Sequence, residues 1–196
     1  SDFFTGAFPS DYGNAIAGVF DIRMRNGNDG NYEFLGQIGF NGAELGAEGP
    51  LSRKNKSSFL VNYRYSAMGL MNNLGLNPGT GSGIPYYQDL NLKIKLPLGE
   101  NHQVDLFALG GLSHINFVNS EVKPEDRNED FYTDGDVDVY YKVRTGVIGM
   151  SDTWRISSSA YLKTTIALTA MQNTSRVDSI TFDRENNFEI QNVFKD

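Results

Sequence analysis

The densest chemistry in this sequence is an acidic stretch made by Glu121, Glu125, Asp126, Glu129, Asp130, Asp134, Asp136 and Asp138. Within it, Asp134-Gly135-Asp136-Val137-Asp138 sets carboxylates at every second residue. Calcium takes oxygen ligands of this kind, so Asp134, Asp136 and Asp138 are the candidate metal ligands. The spacing does not match an EF-hand loop, and a solvated acidic loop is the alternative reading. The two histidines, His102 and His114, have no partner at metal-ligand spacing. The run Gly79-Thr80-Gly81-Ser82-Gly83 lacks the Gly-Lys-Ser/Thr ending that a phosphate loop needs. No Ser-His-Asp set and no carboxylate pair stands out, and without cysteine there is no thiol nucleophile. These residues point to no enzyme and call for no cofactor.

Composition narrows the class further. The net charge is −7, and the basic cluster Arg53, Lys54 and Lys56 sits in a short turn, so no nucleic-acid partner is expected. Of 196 residues, 13 are Phe and 10 are Tyr, which argues against disorder. No apolar run approaches the roughly 18 residues of a membrane helix. That leaves membrane strands open, because alternation hides their apolar residues from averaged hydropathy.

The elements that must carry these residues have a period of two. Tyr32, Phe34, Ile38 and Phe40 oppose Glu33, Gln37 and Asn41. Asn41-Gly42 carries the signature of a tight hairpin turn. Phe59, Val61, Tyr63 and Tyr65 oppose Ser58, Asn62, Arg64 and Ser66. Leu90, Leu92, Ile94, Leu96 and Leu98 oppose Asp89, Asn91, Lys93 and Lys95. Gln103–Phe117 has apolar residues on both faces. Val137, Val139, Tyr141, Val143 and Val147 oppose Asp138, Lys142 and Arg144. Ala160, Leu162, Ile166, Leu168 and Ala170 oppose Tyr161, Lys163 and Thr165, and an eighth run begins near Phe188.

The connections alternate in length. Ser52–Ser57, Gly99–Asn101 and Asp152–Trp154 read as short turns, and Met68–Pro85, Asn119–Asp136 and Asn173–Asn187 as long loops. A membrane β-barrel makes this pattern, because its periplasmic turns are short and its outer loops long. The runs also exceed the ~5–6 residues of a globular strand. The expected fold is therefore all-β, an antiparallel transmembrane barrel whose polar faces line a lumen. A large soluble antiparallel sheet is the competing reading, since alternation suits either.

The segment Phe8-Pro9-Ser10-Asp11-Tyr12-Gly13-Asn14-Ala15-Ile16-Ala17-Gly18-Val19-Phe20-Asp21-Ile22 resembles the end of the plug domain in TonB-dependent outer-membrane receptors of the Bacteroidetes type. Ser57-Ser58-Phe59-Leu60-Val61-Asn62-Tyr63-Arg64-Tyr65-Ser66 looks like an early barrel strand of that family. The resemblance implies that residues 1–25 end a plug and residues 26–196 begin the barrel. It further implies a plugged barrel of about 22 strands, of which about eight are legible here. The implied function is uptake of a nutrient or chelate across the bacterial outer membrane. The implied partners are outer-membrane lipid, TonB through an N-terminal part not in this sequence, an unidentified small-molecule or oligomeric substrate, and in some family members a surface lipoprotein. Asn62, Arg64, Lys93 and Arg144 are then expected to face the lumen, contacting plug or substrate path. A small closed outer-membrane barrel acting as anchor or adhesin, and a soluble β-rich binding module, are the alternatives.

Overall fold

A computed structural model describes residues 2–6, 8–9, 12–13, 17–39, 42–66, 71, 74, 83–121, 137–183 and 189–194. The described residues are all-β and antiparallel. Two short strands, β1 (Asp2–Phe4) and β2 (Val19–Asp21), pair into a small sheet of their own. Phe3 stacks on Phe20 with ring centroids 4.2 Å apart. Gly18 lies under Phe3, where a Cβ would meet the ring at 3.0 Å.

The remaining strands form one sheet of eight in strict sequence order. They are β3 (Glu33–Gly39), β4 (Gly42–Ser52), β5 (Ser57–Tyr65), β6 (Gly83–Leu98), β7 (His102–Val118), β8 (Val137–Arg155), β9 (Tyr161–Asp183) and β10 (Glu189–Phe194). Each pairs only with its sequence neighbours, so β3 and β10 are the two edges. β6 to β9 run for 16 to 23 residues and pair with no register shift between them.

The turns at one end are local and well formed. Lys56 adopts a φ of 57° in the β4–β5 turn, where Asn55 Oδ1 accepts from the Ser57 N–H at 3.2 Å. Gly99, with φ 70°, opens the β6–β7 turn at the residues the sequence indicates. The third short turn moves. β8 continues through Trp154 to Arg155, and the chain reverses over Ser157–Ser159, closed by the Ile156 N–H on the Ala160 carbonyl at 3.0 Å. Trp154 is thus a strand residue, stacked on His102 across the β7–β8 pair.

At the opposite end the expected rhythm holds in part. The connections spanning 66–82 and 119–136 are long. The segment read as a long loop from Asn173 is instead strand as far as Asp183, because its residues pair with β8 up to Ser179 and with β10 from Ser179 to Asp183. Gly42, expected inside a hairpin turn, is the first residue of β4 and pairs with Gly39; Phe40 and Asn41 lie outside the described residues.

This sheet has no core of its own. Among the described residues only Val139 and Ile180 are buried hydrophobics, whereas Phe34, Ile38, Leu45, Ile148, Ile166 and Leu168 are all more than 60% exposed. A folded soluble monomer of 21.8 kDa has a surface of about 9,300 Å². This chain exposes 13,993 Å². Sheets are stabilised by burying at least one face, and among the described residues the chain covers only part of one face here.

Candidate functional site

The register sorts the side chains into two faces of opposite character. On the first, Phe34, Ala47, Val61, Leu92, Ala108, Ile148 and Leu168 form one continuous row across seven strands. The flanking rows hold Phe59, Ile94, Leu106, Met150 and Ile166 on one side, and Leu45, Tyr63, Leu90, Gly110, Gly146 and Ala170 on the other. None of these positions is charged. On β8 the band is bounded by Asp152 at the short-turn end and Arg144 at the long-loop end. Eight residue steps of extended chain separate them, about 27 Å at ~3.4 Å per residue. Aromatic residues border the band: Tyr32, whose hydroxyl donates to the Pro50 carbonyl at 3.0 Å, and Trp154 at one end, Tyr86 stacked on His114 at the other.

The second face of β4–β6 is a charged seam. Asn62 Nδ2 donates to Glu44 at 2.6 Å. Arg64 donates to Asp89, its direct register partner, at 2.8 Å and lies over the Tyr87 ring. Lys93 Nζ donates to the Met24 carbonyl at 3.0 Å, and Lys95 reaches Asp29 at 3.3 Å. Arg25 grips both carboxylate oxygens of Glu48, one at 2.6 Å, and the Asn28 N–H adds a third bond at 2.8 Å. Glu48 is only 7% exposed. Its hydrogen bonds push the Arg25 guanidinium above its ordinary pKa. In the small sheet, the hydrogen bond from the Arg23 guanidinium holds the Asp21 carboxyl below its usual range.

These bonds share one consequence. The segment Met24–Asp29, which leads from the small sheet into β3, is fastened across the seam. Gly27 makes the seat: a Cβ there would lie 2.0 Å from the Phe59 main-chain oxygen, so only glycine allows the approach.

Three of the four residues expected to face a lumen, Asn62, Arg64 and Lys93, thus share the seam. Arg144 does not. The unbroken register carries Arg64 to Asp89, Gly111 and Thr145, which leaves Arg144 on the first face opposite Leu112 and Gln172. By the same count Val137, Val139, Tyr141, Val143 and Val147 stand on the seam's face, the reverse of the expected assignment, and Lys142 joins Arg144 just past the apolar band. Alternation fixes only which residues of a strand share a face. Its sign must come from a neighbour, and β7, apolar on both faces, could not supply one.

Of the candidate metal ligands, Asp138 is fully buried at the start of β8, while Asp134 and Asp136 lie outside the described residues. Sequence reading missed Glu48, Asp89 and the Met24–Asp29 backbone. Glu48 and Asp89 were visible as polar-face residues, but their partners are about 20 or more positions away and emerge only from pairing. His102 contacts Asp152 at 3.1 Å, and no group of three or more metal-ligating His, Asp or Glu residues occurs among the described residues.

The arrangement can clasp a chain segment on one face while offering the other to an apolar surrounding. Comparison with protein-family models, with curated proteins and with solved structures found no match to this chain.

Proposed function

We propose that this chain is part of a TonB-dependent outer-membrane transporter, with residues 1–25 the end of its plug and the eight-stranded sheet the beginning of its barrel. The observation that carries this reading is the two-faced sheet. A charge-free apolar band about 27 Å along the strand, about 21 Å tall at the ~40° tilt of barrel strands, is close to the apolar girdle of about 25 Å on membrane barrels. The reverse face holds the segment that follows the plug-like phrase. In this reading the band meets lipid, the seam faces the lumen, and further strands pair with β3 and β10. A closed eight-stranded barrel would instead need β3 to pair with β10, and the described strands leave these two at opposite edges. A soluble module would need a core, and the exposed apolar residues supply none.

The function is then uptake of a nutrient or chelate, powered from the periplasm through TonB. The test is fractionation of the full-length gene product, together with uptake in a strain lacking the gene. The proposal expects outer-membrane fractionation, detergent-dependent solubility and TonB-dependent uptake. A full-length product that is soluble in the periplasm would sink it.

A further inference from the structure

Past the apolar band, at the long-loop end, the same face buries charge. Asp138 of β8 and Asp178 of β9 are direct register partners, and each is 1% exposed. Opposed residues on one face of a sheet carry Cβ atoms about 4.5–5.5 Å apart, and like charges placed there repel. Asp138 accepts from the Ser120 N–H at 2.9 Å and the Ser120 hydroxyl at 2.6 Å. Arg176 donates to Asp178 Oδ2 at 2.9 Å while lying over the Tyr140 ring at 4.3 Å.

Asp178 Oδ1 is buried with no hydrogen-bond partner. So is Asn116 Oδ1, whose residue pairs with Tyr140 one row nearer the band. A buried acceptor left without a partner is destabilising, more so when charged. The four neighbours Asp138, Asp178, Arg176 and Asn116 therefore hold two carboxylates against one guanidinium, with two acceptor oxygens unanswered.

We propose that Asp138 and Asp178 bind a calcium ion between β8 and β9, with Asp178 Oδ1 as the primary ligand and Asn116 Oδ1, in the neighbouring row, as a further oxygen donor. All the available donors are oxygen, which selects a hard cation over zinc. Calcium fits better than magnesium, because it tolerates irregular ligand sets and partial hydration. With only two carboxylates, and Arg176 already on one of them, affinity falls in the weak class of extracellular calcium modules, about 10⁻⁴–10⁻³ M. The site joins strand to strand, and so differs from the loop set that sequence spacing suggests; the two share only Asp138.

The test uses the full-length protein in detergent after chelator treatment. Terbium is titrated in, and its luminescence is read through excitation of Tyr140, two residues from Asp138. A saturable signal displaced by millimolar calcium is expected, together with a calcium-dependent rise in Tm. Asp178→Asn and Asp138→Asn should each weaken calcium at least tenfold. Tyr140→Phe should remove most of the luminescence while leaving the calcium midpoint of the Tm shift unchanged. Absence of both signals in the unsubstituted protein overturns the proposal, as does an Asp178→Asn protein that binds like the parent. Should the Asp variants fail to fold, Tyr140→Phe decides alone: undiminished terbium luminescence places the ion elsewhere and refutes this site.

Discussion

The two halves of the sheet differ on the second face, the one opposite the apolar band. Across β4–β6 that face carries Glu44, Glu48, Asn62, Arg64, Asp89, Lys93 and Lys95, and the Met24–Asp29 segment is seated on it. Across the middle of β7–β9 it carries Phe107, Leu109, Val147, Thr145, Ala167 and Thr169, without charge. The first face is the same apolar band in both halves. Charge on the second face is therefore concentrated where the chain folds back on itself. The uncharged half is open, and in the proposed transporter it would be where the rest of a plug packs.

The sharpest way to break this picture is to charge the face both halves share. Leu168→Arg, at the centre of the band, should cost about 2–4 kcal/mol if that face meets lipid. Thr169→Arg, one residue on and on the second face, should cost less than about 1 kcal/mol if that face lines a lumen, since barrels tolerate charge there. Urea unfolding of the protein in lipid vesicles measures both. Equal costs would remove the distinction between the faces and with it the membrane reading.

The second experiment probes the occupied half. Glu48→Gln leaves Arg25 without its ionic partner in a position only 7% exposed, and about 1–3 kcal/mol of stability should go. The same substitution type at exposed Glu100, in the β6–β7 turn, is the control and should be neutral. Indistinguishable urea midpoints for the two would mean that the seam does not hold the segment.

Gly27→Ala sharpens the same point without touching charge. Its Cβ must displace the segment or the Phe59 carbonyl, at a cost of about 1–2 kcal/mol, the lower part of the range for overpacking. Hydrogen exchange should speed up at the 24–29 amides and stay unchanged in β7–β9. Faster exchange throughout the sheet would show that the segment is not a separate latch.

The smallest effect is expected at Arg64. Its side chain is 45% exposed, and pairs of this kind contribute about 0–1 kcal/mol. Arg64→Met should leave stability nearly unchanged, so any loss of uptake by the full-length protein would report on the path. A loss of stability as large as that of Glu48→Gln would instead make Arg64 structural.

Much of this was legible in the residues. The alternation of Phe59 to Tyr65 and of Leu90 to Leu98 marks strands and their apolar sides correctly, because side-chain direction has a period of two whatever the strand pairs with. Gly99 marks its turn because its φ of 70° suits glycine. Trp154 and the Asn173–Asp183 stretch were misread for one reason. Serine, asparagine and aspartate are turn formers in isolation, and only an aligned partner strand holds them extended.

What the sequence determined by itself was therefore local: an all-β chain, the parity within each strand, two of the short turns, and a net negative charge. What only the tertiary structure decided was relational. It set the sign of the β8 parity, which puts Arg144 and Lys142 outside the seam. It brought Asp178 against Asp138 from a distance of 40 residues, and it laid Met24–Asp29 over Lys93 and Glu48. The physical reason is the sheet itself: register converts a preference that repeats every second residue into specific cross-strand neighbours, and a shift of one residue would exchange every side chain between the two faces.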